Sequence, residues 1–157
     1  MTASIIANLP VFVVIAPLFV GFILPTFSRR MRLVEGLVIL VEALGLVGAG
    51  YLAFIVLAQK GVPILYSLGG WPAPWGIELV AGSLGAFFLL VIAGVSLPVA
   101  LFAKGNLTQE VGSAERVTRF YVLYLLLGGA LVGMALTNDL FNVYVLVEVA
   151  TLSCCGL

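Results

Sequence analysis

Long apolar runs alternate with short polar segments along the 157 residues of this chain. Each run is long enough for an α-helix across the hydrocarbon core of a bilayer, which takes about 20 residues with a range of about 17–25. The pattern predicts an all-α integral membrane protein with one membrane domain over residues 1–157 and five transmembrane helices. The predicted helices are Ile5–Phe27, Leu33–Ala58, Leu79–Phe102, Phe120–Leu136 and Leu140–Leu157.

Two of the connecting segments are long enough for their composition to predict their structure. Gln59–Ile77 contains Gly-Gly, Pro-Ala-Pro and Trp-Gly elements, which form turns and do not continue a helix, so we predict a loop. Lys104–Arg119 is the most polar part of the chain and is also predicted as a connection. Within the fourth run, Gly129 and Gly133 form a GxxxG pair, which is either a helix-packing signal or the ordinary glycine content of membrane helices.

The basic residues predict the orientation of the chain. With five crossings, the segments 28–32 and 103–119 lie on the same side of the membrane. They carry six of the seven basic residues, namely Arg29, Arg30, Arg32, Lys104, Arg116 and Arg119. Basic residues concentrate in cytoplasmic connections, so the N-terminus is predicted outside and the C-terminus inside.

The composition agrees with a membrane protein and narrows the function. The chain is 63% hydrophobic and 9% charged, whereas soluble proteins have about 25% charged residues. Its formal net charge is zero, which gives no support for nucleic-acid binding. It has no histidine, and its adjacent cysteines, Cys154 and Cys155, fit neither a metal nor a redox motif. We therefore expect no metal, no cofactor and no catalytic residue.

The fifth predicted helix carries one carboxyl group, Glu148, among Val, Leu and Ala residues. A charged residue at the centre of a membrane helix costs about 2.5–3.5 kcal/mol on insertion scales, and such residues are usually functional. Tyr144 and Thr151 share the helix face of Glu148, at spacings of four and three residues. This stripe predicts a buried protonatable site on a proton or ion path. The alternative is a protonated glutamate that serves packing only.

Two further acidic residues are weaker candidates for ion translocation. Glu42 lies nine residues into the second predicted helix, at a depth similar to that of Glu148, so the two can share a proton if their helices touch. The alternative is a structural role in a crowded, dry interface. Asp139 precedes the fifth helix, where an aspartate caps a helix N-terminus; a role in guiding cations is the alternative.

A basic partner for Glu148 is missing from the predicted helices. The two lysines, Lys60 and Lys104, both lie at helix ends. Any cation that pairs with Glu148 at mid-depth must therefore come from another polypeptide or from a further part of this one.

Three segments of the chain resemble one known superfamily. Leu136–Val149, with the sequence LTNDLFNVYVLVEV, resembles the junction of the fourth and fifth helices in antiporter-like subunits. These subunits occur in respiratory NADH dehydrogenase (complex I), in Mrp-type Na⁺/H⁺ antiporters and in membrane-bound hydrogenases. Tyr66–Ile77, with the sequence YSLGGWPAPWGI, is similar to the segment before the third helix in the Mrp D-type branch. Phe120 and Tyr121 at the start of the fourth run also resemble the start of the fourth helix in this superfamily.

The resemblance implies a membrane subunit of a multisubunit complex that moves H⁺ or Na⁺, driven by a respiratory oxidoreductase or an ion gradient. Subunits of this superfamily have fourteen helices with the N-terminus outside, in a prokaryotic-type inner or cytoplasmic membrane. Their fifth helix carries a key glutamate, which corresponds to Glu148 here and pairs with a lysine on the seventh helix. That helix lies beyond the resemblance, so we expect a neighbouring membrane subunit to supply the lysine. Gly82 replaces an aspartate that is frequent in the superfamily.

Several alternatives remain open at this point. The chain is a split subunit, a shortened accessory subunit or part of a longer chain. A second functional interpretation is a structural subunit that fills a membrane interface without conducting ions, with its glutamates neutral.

Overall fold

Helices dominate this computed structural model, which describes the backbone of residues 2–157 and the side chains of residues 8–107 and 109–157. The helices are α1 (Thr2–Ile23), α2 (Met31–Ala58), α3 (Ser83–Val111), α4 (Ala114–Leu136) and α5 (Leu140–Gly156). A 3₁₀ turn, Leu24–Phe27, extends α1, and a two-stranded hairpin lies between α2 and α3.

Four of the described helices, α1 to α4, are long and apolar enough to cross a membrane. The fifth, α5, has 17 residues and is slightly shorter. These lengths agree with an all-α, multi-pass membrane protein. The number of five crossings and the orientation of the termini stay predictions.

The connection between α2 and α3 is more ordered than a loop. Strands β1 (Ile64–Ser67) and β2 (Glu78–Ala81) form an antiparallel hairpin, with Ile64 opposite Ala81 and Ser67 opposite Glu78. Residues 79–81, which the hydropathy pattern assigns to the third helix, belong to β2. Leu79 and Ala81 are buried while their neighbours are partly exposed, which is the period-two pattern of a strand. Hydropathy alone does not separate a short apolar strand from the first turn of a helix.

The polar stretch Lys104–Arg119 is largely helical rather than a loop. Helix α3 is interrupted at Lys104 and Gly105, where Gly105 has a φ of 85°, and helical structure then resumes as far as Val111. The Ser113 side chain accepts a hydrogen bond from the Arg116 amide at 3.4 Å and caps α4. Glu115 and Arg119 form an exposed i,i+4 ion pair at 2.6 Å. Local capping and pairing thus allow a polar sequence to remain helical at the membrane edge.

Helix α4 lies at the centre of the packing and contacts each of the other four helices. A Cβ atom placed on Gly129 would lie 2.8 Å from Leu18 Cγ of α1. One placed on Gly133 would lie 2.9 Å from Leu146 Cδ1 of α5 and 3.4 Å from Val14 Cγ1 of α1. The GxxxG pair is therefore a packing feature, because both glycines admit side chains from neighbouring helices close to the α4 backbone.

We predict that Gly129→Ala weakens the bundle although alanine is the better helix former. The added methyl would meet Leu18 Cγ at 2.8 Å and the Pro17 ring at 3.3 Å, and overpacking costs about 1–3 kcal/mol. Thermal denaturation in detergent should show a lower midpoint for this variant.

Gly94→Ala is the matched control, since a Cβ at that position meets no atom within 4 Å. It should gain up to about 1 kcal/mol from helix propensity. Equal stabilisation of both variants would contradict the close approach of α1 to α4.

Candidate ion-translocation site

The start of α5 is held by a well-formed cap. Asp139 Oδ1 accepts a hydrogen bond from the Asn142 amide at 2.7 Å. The Asn142 side chain in turn donates to Thr137 Oγ1 at 2.9 Å. Asp139 therefore satisfies an amide that the helix leaves without an internal partner. The capping interpretation of Asp139 is confirmed, and its role in guiding cations stays a prediction.

The hairpin anchors the same end of α5. The Asn138 amide donates to the Glu78 carbonyl oxygen at 2.9 Å. The Asn138 side chain donates to Glu78 Oε2 at 3.3 Å, and Leu79 forms an isolated β-bridge with Thr137. Glu78 was not a candidate in the sequence, because its partners are 60 residues away. The polar run Thr137–Asn138–Asp139 is the sequence feature that indicates hydrogen-bond partners at this junction.

One face of α5 packs on α4 and determines where the other face points. Leu146 is 7% exposed and Ser153 is 3% exposed, and these two residues mark the buried face. Leu146 lies against Gly133, and Leu123 of α4 lies against Gly156. The helices are therefore antiparallel, and α4 is the principal neighbour of α5 within the described chain.

Glu148 lies on the opposite face of α5 and is exposed. Tyr144, 64% exposed, and Thr151 share this face, as their spacing predicts. The prediction that Glu148 is buried is therefore wrong for this chain by itself. The physical reason is that α5 is an edge helix, so a residue midway along it can still point away from the bundle.

Glu148 has no basic partner among the described residues. Within the described part of the chain, one ion pair is present, between Glu115 and Arg119 at the start of α4. No hydrogen bond to the Glu148 carboxyl occurs in the described part of the chain either. Its face, with Tyr144 and Thr151, is a polar stripe that this chain leaves open.

The buried carboxyl group of the structure is that of Glu42, which is 8% exposed. Glu42 Oε1 lies 3.7 Å from where a Cβ on Gly128 would stand, so the carboxyl faces α4. It also lines a cavity of about 380 Å³ between α1, α2, α3 and α4. Gly45 adjoins this cavity rather than a crowded interface, and a Cβ there meets nothing within 4 Å.

The structure does not bring the carboxyl groups of Glu42 and Glu148 together. Glu42 faces α4 from one side, whereas Glu148 points away from α4 on the other side. The described residues form no extensive interface between α2 and α5. The antiparallel register of α4 and α5 sets Glu148 level with Leu131, while Glu42 is level with Gly128. Three helical residues correspond to roughly 4.5 Å, so the two groups lie at similar depth without sharing a proton directly.

Comparison with known proteins gives relatives that are longer than this chain. No family model matches. The chain is 36% identical over 152 residues to NADH-quinone oxidoreductase subunit N of Desulforudis audaxviator, which covers 94% of this chain and 29% of that protein. It is 33% identical over 143 residues to the D-type subunit of a Na(+)/H(+) antiporter of Bacillus subtilis, which covers 90% of this chain and 27% of that protein.

A solved structure gives the same result for the fold. A chain in the Mrp complex from Dietzia sp. matches with a TM-score of 0.80 and 29% identity, over 100% of this chain and 27% of that chain. The present chain thus spans less than a third of the length of these relatives.

The cap on α5 allows a test that separates capping from charge. Asp139→Ala should lower the stability by about 0.5–2 kcal/mol, because the Asn142 amide loses its acceptor. Asp139→Asn keeps an acceptor oxygen and should be close to wild type. Thermal denaturation in detergent measures both variants, and equal losses in the two would show that the charge rather than the cap matters.

Proposed function

The chain belongs to the superfamily of antiporter-like membrane subunits, and on this premise we propose that it is a membrane subunit of a multisubunit ion-translocating complex. Its relatives include a subunit of a NADH-quinone oxidoreductase and a subunit of a Na(+)/H(+) antiporter. The proposed role is to contribute to a path for H⁺ or Na⁺ in the membrane, coupled to a respiratory oxidoreductase or to an ion gradient.

The observation that carries this proposal is the open polar stripe on α5. Glu148 is the ninth residue of a 17-residue apolar helix and is exposed, without a basic partner among the described residues. If this face met lipid, a charged Glu148 would cost about 2.5–3.5 kcal/mol. A neighbouring polypeptide that covers the face removes this cost, especially if it supplies a cation. We therefore propose that Glu148 is the principal protonatable site and that its partner is a lysine outside these 157 residues.

Tyr144 and Thr151 complete the proposed site. Their hydroxyl groups lie one turn before and one turn after Glu148 on the same exposed face. Hydroxyl groups can both donate and accept hydrogen bonds, so they can pass a proton to or from a carboxyl group directly or through water. Glu42 contributes a second protonatable group on the other side of α4.

A structural subunit is the second candidate function. Large apolar side chains project from the outer faces of α1 and α3, for example Phe22 (74% exposed), Leu84 (71%) and Phe102 (75%). Such faces suit lipid or other subunits equally well. In this role Glu148 would be neutral and would only hydrogen-bond to a neighbour.

Glu148→Gln separates the two functions. In the assembled complex in membrane vesicles, we expect this variant to lose most of the coupled ion transport, because glutamine keeps the shape and hydrogen bonding but cannot carry the proton or the charge. Removal of a proton-transferring group typically costs about 10²–10⁴-fold in rate.

Glu110→Gln is the matched control, since Glu110 is an exposed residue in the polar end of α3. It should transport at the wild-type rate. Normal transport by Glu148→Gln in a normally assembled complex would favour the structural subunit.

We also propose that the N-terminus lies outside and that the basic connections face the cytoplasm of a prokaryotic cell. Thr118 Oγ1 lies 3.7 Å from Met31 Sδ, so the connections that precede α2 and α4 are at the same end of the bundle. Six of the seven basic residues lie in these connections or at the adjoining helix ends. This grouping supports a cytoplasmic location for that end.

Cysteine labelling tests this orientation. In a background with Cys154→Ser and Cys155→Ser, a membrane-impermeant maleimide added to intact cells should label Ala73→Cys in the hairpin connection. It should label Ala114→Cys at the start of α4 only after the membrane is permeabilised. Both alanines are exposed, so access alone decides the outcome. The reverse pattern would contradict the proposed orientation.

A further inference from the structure

The ion path proposed along α5 does not include Glu42, whose carboxyl group is the most buried among the described residues. Glu42 of α2 is 8% exposed and borders the cavity between α1 and α4. The cavity walls are apolar, with Ser96 and Tyr51 among the few polar residues that line it. A buried carboxyl group is stable in such a place as the neutral acid, since an unpaired charge is strongly disfavoured there. Protonation of Glu42 therefore requires a route by which protons reach it.

Two contacts establish how α2 and α4 lie against each other. Thr118 Oγ1 lies 3.7 Å from Met31 Sδ, and Glu42 Oε1 lies 3.7 Å from the Cβ position of Gly128. Both pairs have nearly the same separation in sequence, so α2 and α4 are parallel and in register, and the same register sets Tyr121 level with Glu35. Glu35 and Glu42 are two helical turns apart, roughly 10.5 Å along the axis. The phenols of α4 lie beside this interval.

Tyr121 has a hydroxyl group that its surroundings do not explain. Its side chain is 1% exposed, and its hydroxyl has no hydrogen-bond partner among the described residues. A phenylalanine would fill the same apolar space without burying an unpaired polar group, which is costly. The register of α2 and α4 sets Tyr121 level with Glu35, and Tyr124 follows about one turn later on α4.

Tyr124 continues the row toward Glu42. Its hydroxyl donates a hydrogen bond to the Ser96 carbonyl oxygen at 2.5 Å, which holds the side chain between α3 and α4. On α4, Tyr124 lies about one turn after Tyr121 and about one turn before Gly128, the residue next to the Glu42 carboxyl. The order along the bundle is therefore Glu35, Tyr121, Tyr124 and Glu42, beginning near the basic connection at Arg29–Arg32.

We propose that Glu42 is a second proton-binding site of this chain and that Glu35, Tyr121 and Tyr124 form the path that loads it from the basic end. A proton arrives on the Glu35 carboxylate. Each phenol then accepts a proton on its oxygen and passes its own proton on, directly or through water, until Glu42 holds one. For Tyr124 this requires the O–H to turn from the Ser96 carbonyl toward Glu42. Only O–H bonds form and break, and each phenol ends with the proton count with which it began.

Among the described residues the row ends at Glu42, since the cavity beyond it is mostly apolar, so Glu42 passes its proton on through water in the cavity or to a neighbouring polypeptide. Glu42 thus stores a proton at the depth of Glu148 but on the other side of α4. This proposal rests on the ion-translocating role proposed above and adds a separate entrance for protons. The geometry of the α5 site does not depend on it.

Phenylalanine variants test the path in the intact complex. Tyr121→Phe and Tyr124→Phe should each slow proton transport in membrane vesicles by about 10²-fold or more, at the low end of the usual effect of a proton-transferring group. The double variant should be no slower than the slower single variant, because both groups act in series. Tyr66→Phe in the hairpin is the matched control and should transport at the wild-type rate.

Assembly and melting of the complex are the control measurements for Tyr121→Phe. This variant removes a hydroxyl group without a described partner, so the complex should assemble and melt as the wild type does or slightly better. A slow rate in a fully assembled complex therefore reports on proton transfer. Wild-type rates in both phenylalanine variants would overturn the path.

Carbodiimide labelling tests Glu42 without relying on transport. Dicyclohexylcarbodiimide is soluble in membranes and reacts with protonated carboxyl groups in apolar surroundings. Mass spectrometry should find it on Glu42 in the wild-type complex and in both phenylalanine variants, with no label at position 42 in Glu42→Gln. An unlabelled Glu42 would overturn the second proton site.

The two proposals fail in different ways. If Glu148→Gln stops transport while the phenylalanine variants are normal, the path is wrong and the role of α5 stands. If Glu148→Gln is normal while the phenylalanine variants are slow and Glu42 is labelled, the α5 site is wrong and the Glu42 path stands.

Discussion

Close approach to the backbone of α4 is the interaction on which the rest of this structure depends. Gly129 admits Leu18 of α1, and Gly133 admits both Leu146 of α5 and Val14 of α1. In a membrane, helices gain little from burying apolar surface against each other, so close packing carries much of the association. Small residues on a single helix thus position two neighbours, α1 and α5.

This arrangement has a direct consequence for the carboxyl groups of Glu42 and Glu148. Because α4 stands between α2 and α5, the two groups lie on opposite sides of it at similar depth. Glu42 is buried among the described residues, next to a cavity of about 380 Å³. Glu148 is exposed on the outer face of α5. The two groups therefore face different environments.

The junction between the hairpin and α5 supplies the second constraint. Asn138 joins α5 to Glu78 through its amide and its side chain, and Asp139 caps the helix. These bonds fix the end of α5, while Leu146 fixes its rotation against α4. The outward direction of Glu148 follows from both.

The pattern of apolar residues was enough to predict the helices, because each backbone N–H and C=O must be paired within a membrane and a helix does this by itself. It was also enough to place Tyr144, Glu148 and Thr151 on one face, because a helix has a fixed period. The GxxxG pair and the Asp139 cap could also be predicted from the sequence, because each is a pattern of residues only a few positions apart. The resemblance carried by Leu136–Val149 agrees with the relatives found for the chain.

Tertiary structure decided what depends on distant residues. Whether Glu42 or Glu148 is buried follows from which helix lies at the edge of the bundle, which hydropathy does not reveal. The strand at residues 78–81 exists because β1 pairs with it. The row of Glu35, Tyr121, Tyr124 and Glu42 joins two helices about 86 residues apart in sequence, so only their parallel packing brings it together. Periodicity within a helix is a local property, whereas the direction in which a helix face points is set by its neighbours.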